Sequence, residues 1–169
     1  MLRLLPLRIG IALMALAIAA APVAAGGHRF VSPLSGGAEV PAVDTNATGV
    51  ATFKLSADGT TLSFRLIVAN IENVLQAHIH CGAADVAGPV VVFLYPDGPP
   101  PVLIEGRFQG VLASGTRTNA DVIARPDSLE CPGGLANFDE LLAKMRSGDA
   151  YVNVHTSQNP GGEIRGQIR

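Results

Sequence analysis

The sequence predicts an all-β fold: a sandwich or barrel of about eight short, mostly antiparallel strands with Greek-key connections, plus one short helix over about 137–147. Three observations carry this. The 19 glycines and 12 prolines are spread along the chain in turn-like clusters, which punctuates it into short elements. Between the clusters, apolar and polar residues alternate, the period of a half-buried strand. A single stretch, Asn137 to Gly148, has helical periodicity instead.

The first residues stand apart from that domain. Met1 to Arg8 carry Arg3 and Arg8 and no acid, Ile9 to Ala21 are apolar and uncharged, and Val23-Ala24-Ala25 supplies small residues. This is the order of a secretory signal, with cleavage expected after Ala25. The apolar run is shorter than the ~20 residues a membrane-spanning helix needs. Residues 26–169 then make one domain, long enough to bury its own core. The net charge of −2 becomes −4 once Arg3 and Arg8 are removed. Without a basic cluster, nucleic acid and anionic membrane are poor partners, and no later run is long enough to span a bilayer.

The strands follow in order. Arg29 to Leu34 reads as a first, edge strand, with Pro33 near its end. Gly49 to Leu55 and Thr61 to Val68 alternate cleanly, and Asp58-Gly59 between them is a tight hairpin signal. Asn70 to Gln76 leads into a separate strand, Ala77-His78-Ile79-His80-Cys81. Gly82 to Gly88 is a loop. Val90 to Tyr95 is apolar on both faces and so belongs in the middle of a sheet. After the proline-rich turn at 96–101, Leu103 to Gly110 is a strand. Leu112 to Gly134 is the least regular region, with a short helical turn near Asn119 to Ala124. Asn137 is a good N-cap with Glu140 at capping-box spacing. Phe138, Leu141, Leu142 and Met145 form an apolar stripe, and Gly148 is the stop signal. Ala150 to Thr156 and Glu163 to Arg169 are the last strands.

Residues two apart on a strand share a face. Ala77, Ile79 and Cys81 are thereby expected in the core, with Val152, Val154, Ile164 and Ile168. The opposite face collects His78, His80, Tyr151, Asn153, His155, Glu163, Arg165 and Gln167. That polar patch has two readings. A strand His-x-His places its Cα atoms ~6.6 Å apart, so His78 and His80 can lean onto one ion. His155 would complete a three-nitrogen set suited to copper or zinc, with Glu163 or Asp85 orienting a ligand. Alternatively the histidines, Asn153, Glu163 and Arg165 form a structural hydrogen-bond network.

Cys81 and Cys131 are the only cysteines, and in an exported chain they are most simply one disulfide. It would close a loop of about 50 residues, worth about 4 kcal/mol on the chain-entropy account. The alternative is a thiolate ligand beside the histidines. A Gly-x-Ser-x-Gly nucleophile motif and a glycine-rich phosphate loop are both missing, so nucleophilic catalysis has no support in the sequence. Among the acids, nothing in the spacing selects Glu39, Glu72 or Asp85 as a working pair.

Three segments resemble the CHRD domain family, named for chordin and present in many exported bacterial proteins. They are Ser35-Gly36-Gly37-Ala38-Glu39-Val40-Pro41-Ala42-Val43, where Ala42 stands in place of the family's usual proline, Ala77-His78-Ile79-His80, and Tyr151-Val152-Asn153-Val154-His155-Thr156 with Asn159-Pro160-Gly161-Gly162-Glu163-Ile164-Arg165-Gly166. The resemblance implies an immunoglobulin-like, secreted or periplasmic β domain acting as a non-enzymatic binding or structural module, with an extracellular protein or ligand as partner. Chordin's growth-factor antagonism is not implied, because the cysteine-rich repeats that carry it there have no counterpart here. A more distant likeness is to copper/zinc superoxide dismutase, another β-sandwich with His-x-His, a later histidine and one disulfide. That likeness implies a metal-binding, redox alternative, although a fourth copper-type histidine and a histidine-rich zinc loop are missing.

Overall fold

A computed structural model describes residues 28–169; the expected signal segment, 1–25, lies outside them. The described residues form seven strands and one helix: β1 Arg29–Ser35, β2 Thr48–Leu55, β3 Leu62–Cys81, β4 Val90–Tyr95, β5 Ile104–Arg117, α1 Phe138–Ser147, β6 Ala150–Thr156 and β7 Ile164–Gln167. All strand pairings are antiparallel, and the all-β class with one short helix is as the sequence predicts. The path β2-β1-β7-β6-β3 closes on itself through a further β2–β3 pairing, and β4 and β5 line the other edge of β3.

β3 replaces two expected strands and reduces the count to seven. Its buried residues are Leu62, Phe64, Leu66 and Val68, then Ile71, Val74, Ala77, Ile79 and Cys81. The buried positions step by two as far as Val68, by three from Val68 to Ala77 and by two again to Cys81, whereas a regular strand keeps a step of two. Register shifts after Val68, after Glu72 and after Val74 absorb the change. Asn70 and Asn73 sit there in the left-handed region, at φ 55° and 52°, where asparagine is the commonest substitute for glycine. The bulged strand bends. Its first half pairs with β2 and its second half with β6, so one strand belongs to both sides of the barrel.

Two expected positions in the sheet are corrected. β4 is not central: it pairs only with β3. Its outer edge is covered by the following connection, through Ile123 N–H to Val91 O at 2.8 Å and Arg125 Nε to Val90 O at 3.1 Å. β1 is not an edge strand: it pairs with β2 along its whole length, and on its other side Val31 and Arg169 exchange backbone hydrogen bonds at 2.8 and 2.9 Å. Gly166 makes this approach feasible, since a Cβ there would lie 2.0 Å from Pro33 O. β5 also runs seven residues past Gly110, pairing with the first half of β3. Its outer positions are mostly exposed, so no apolar alternation marked it.

The helix begins where Asn137 Oδ1 accepts the Glu140 N–H at 3.0 Å and ends at Gly148, which takes the left-handed φ of 80°. The reciprocal arm of the cap reaches one residue further back, with Glu140 Oε2 accepting from Ala136 N–H at 2.6 Å. Phe138, Leu141, Leu142 and Met145 bury the helix against the barrel. Cys131 is joined to Cys81 by the expected disulfide, which ties the long 118–137 connection to the end of β3.

Candidate functional site

The core face behaves as its parity requires: Ala77, Ile79, Cys81, Val152, Val154, Ile164 and Ile168 are all fully buried. The opposite face is buried as well. His78, His80, Asn153, His155, Glu163 and Arg165 are between 2% and 8% exposed, so the polar patch on the non-core face is a buried layer. Three segments cover it: the turn carrying Glu39, the 82–88 loop and the 157–162 turn.

Sheet register sets the layer out in rows. Across β3, β6 and β7, His80 faces Tyr151 and Tyr151 faces Gln167. One step along, His78 faces Asn153 and Asn153 faces Arg165. His155 lies next on β6. On the β4 side the pairing slips at Ala77/His78 and again at Ile79/His80, a local irregularity that re-aims side chains.

The hydrogen bonds define which ring nitrogens are free. His80 Nδ1 lies 2.9 Å from Gly88 O, and His155 Nδ1 lies 2.9 Å from Pro160 O. A carbonyl only accepts, so each Nδ1 carries the proton and each Nε2 carries a lone pair. His78 Nδ1 lies 3.2 Å from that His155 Nε2 and is therefore the donor. This leaves His78 Nε2 and His80 Nε2 as acceptors, and both are buried without a hydrogen-bond partner. An orphaned buried acceptor costs about 1–3 kcal/mol. One ring nitrogen from each of His78, His80 and His155 lies within 4.8 Å of the others.

Burial holds the rings neutral. It pushes His78 down to about 3, assisted by His155 and His80. It pushes His80 down to about 4, against the Gly88 carbonyl, with His155 and Arg165 adding to the downward push. His155 is lowered by burial, against the Pro160 carbonyl. Tyr151 stacks on His80 with ring centroids 4.9 Å apart, and the Arg165 guanidinium lies 3.4 Å from the other side of the Tyr151 ring.

The carboxylates differ from expectation. Glu163 does not touch the histidines: Thr45 Oγ1 and Thr156 Oγ1 donate to its two oxygens, each at 2.7 Å. Asp85 is exposed, and its effect on the layer is a longer-range attraction on Arg165. Backbone carbonyls, not acids, orient His80 and His155. A second buried carboxyl in the layer is Glu39, whose Oε1 accepts from Asn153 Nδ2 at 2.7 Å. Burial raises Glu39 to about 7 despite the neighbouring Arg165. Asn153 Oδ1 is the third buried atom without a partner. Glu39 lies in a turn far from the other residues in the chain, and nothing in spacing linked it to them.

Residues 30–168 match the CHRD domain family. The chain belongs to that family. No curated protein and no solved structure matches it. In this CHRD domain the three segments that carry the resemblance converge on the buried layer. The first contributes Glu39, the second His78 and His80, and the closing segment Tyr151, Asn153, His155, Glu163 and Arg165. The layer also anchors the 82–88 loop, since Arg165 donates to Ala83 O at 2.7 Å and Gln167 to Gly82 O at 3.1 Å. No helix among the described residues is long and apolar enough to cross a membrane. Beside the layer, and reaching it at Glu163, is an open groove of about 770 Å³ lined by polar side chains, including Asp44, Asn70, Glu72, Arg107, Gln158 and Glu163.

Proposed function

We propose that this CHRD domain is an exported, non-enzymatic binding module that engages an extracellular or periplasmic partner through the polar groove. The observation that carries the reading is the division of labour in the fold. The motif residues of the polar layer are buried and hold strands and loops together, whereas the open groove of about 770 Å³ presents amides, carboxylates and Arg107 from separate segments and meets that layer at Glu163. Groups so arranged can bind a polar surface without reorganising the core. The Cys81–Cys131 disulfide and the signal-type pattern of the leader support export.

Reactive groups support a non-catalytic role. His80 and His155 direct Nδ1 to backbone carbonyls, and Ser157 Oγ bonds Gln158 rather than His155. A nucleophile with its base requires a hydrogen bond between them. The test places a photo-crosslinking side chain at Gln158 in the groove and, as control, at Leu129, which is 90% exposed. Expression is in the cell that normally exports the chain. A discrete crosslinked product from position 158 alone is the expected result. Equal products from both positions, or none from either, would overturn the groove as the binding surface.

A further inference from the structure

We propose that His78, His80 and His155 form a three-imidazole binding site for a single copper or zinc ion. Three independent features of the structure converge on it. One ring nitrogen from each histidine lies within 4.8 Å of the others. His78 Nε2 and His80 Nε2 are buried acceptors without a hydrogen-bond partner. His80 and His155 are held by carbonyl oxygens at their Nδ1 atoms, the outer-shell arrangement that fixes a ring and leaves Nε2 free to ligate.

The distances are close to what an ion requires. Metal–nitrogen bonds of about 2.0–2.1 Å at tetrahedral or trigonal angles put ligand nitrogens roughly 3.3–3.6 Å apart. His78 Nδ1 and His155 Nε2 are 3.2 Å apart, so His78 ligates through Nδ1 after its proton moves to the unpartnered Nε2, and the remaining separations of up to 4.8 Å close by about 1 Å through small ring rotations. The pairing of β3 with β4 slips between Ala77 and His78 and again between Ile79 and His80, the kind of irregularity that re-aims side chains.

Donor chemistry selects the class of ion. Three imidazoles with no carboxylate or thiolate disfavour calcium and magnesium, which require oxygen, and suit copper and zinc. Cys81 cannot supply sulfur, because it is bonded to Cys131. The nearby charges rank the candidates further. The Arg165 guanidinium stands behind Tyr151, which stacks on His80, and Glu39 is occupied with Asn153. The desolvation cost of an ion grows with the square of its charge, so cuprous copper is better tolerated than a divalent ion in this neutral, buried shell.

Mature, untagged protein is titrated with Cu(I) under anaerobic, reducing conditions and, separately, with Zn(II). One equivalent bound is expected, with Cu(I) the tighter. Thermal unfolding should rise by roughly 5 °C or more on binding. His80→Gln and His155→Gln should each weaken binding by on the order of 100-fold. In the wild type, imidazole nitrogen NMR should show the signals of His78, His80 and His155 moving together while those of His28 stay in place. This second measurement needs no variant and is unaffected if a substitution destabilises the fold. Uptake of neither ion, uptake that survives both substitutions, or movement of the His28 signals alone would overturn the proposal.

Discussion

Replacing Glu39 by glutamine should stabilise the domain at neutral and alkaline pH and leave it nearly unchanged in acid. Glu39 is raised from 4.5 to about 7 because it is buried, and this is net of the attraction of Arg165. Below pH 4.5 folded and unfolded chains both hold the proton, and the group does not oppose folding. Between 4.5 and about 7 the unfolded chain ionises while the folded one stays protonated, so stability falls as pH rises. Above about 7 the full penalty applies, and at about 1.4 kcal/mol per pH unit it amounts to about 3 kcal/mol. Glutamine keeps the oxygen that accepts from Asn153 Nδ2 and never ionises. The assay is urea unfolding of both proteins from about pH 4 to about pH 8.5 at fixed ionic strength. The stability difference should rise from near zero to about 3 kcal/mol, with its midpoint between the two pKa values. The histidines titrate in both proteins, so the difference isolates Glu39. A difference independent of pH, or a variant less stable than wild type at alkaline pH, would refute the reasoning, since it would mean that the Arg165 pair outweighs burial.

Three further predictions concern the frame around the layer. Replacing both Cys81 and Cys131 by alanine opens a loop with a sequence separation of 50 and should cost about 4 kcal/mol in urea unfolding. Unchanged stability would remove the crosslink as a determinant. Gly88→Ala should destabilise by roughly 2–4 kcal/mol, because its Cβ would lie 1.7 Å from Cys81 O and the shift would pull Gly88 O away from His80. Gly98→Ala, where nothing lies within 4 Å, serves as the control and should stay within about 0.5 kcal/mol. Asn137→Ala removes the acceptor for Glu140 N–H and should lower stability by about 1 kcal/mol, measured as a shift in urea midpoint at constant slope.

Local information was legible where one physical rule acts over a few residues. The cap at Asn137 and the stop at Gly148 are local backbone chemistry, and both stand in the structure where the spacing puts them. The hairpin at Asp58-Gly59 is similar: Gly59 takes φ 75°, and Asp58 Oδ1 accepts from the Ser56 and Thr60 hydroxyls. Parity likewise assigned Ile79, Val152 and Ile164 to the core. The rule failed at Asn70 to Gln76, because it assumes an unbroken period. Bulges at left-handed asparagines re-phase β3, and a re-phased strand looks in sequence like two strands with a loop between them.

The sequence by itself determined the class of fold, the helix and its caps, which residues share a face, and the family. Each follows from neighbours along the chain or from a contiguous motif. Only the tertiary structure decided what covers each face. A strand specifies two sides but not whether the polar one meets water, and here the Glu39 turn, the 82–88 loop and the 157–162 turn cover it. That burial makes the histidines neutral, leaves two of their nitrogens unpartnered, and brings in Glu39, which lies 114 residues from Asn153 in the chain. Burial and long-range pairing belong to the packed barrel as a whole, and no period in the sequence encodes them.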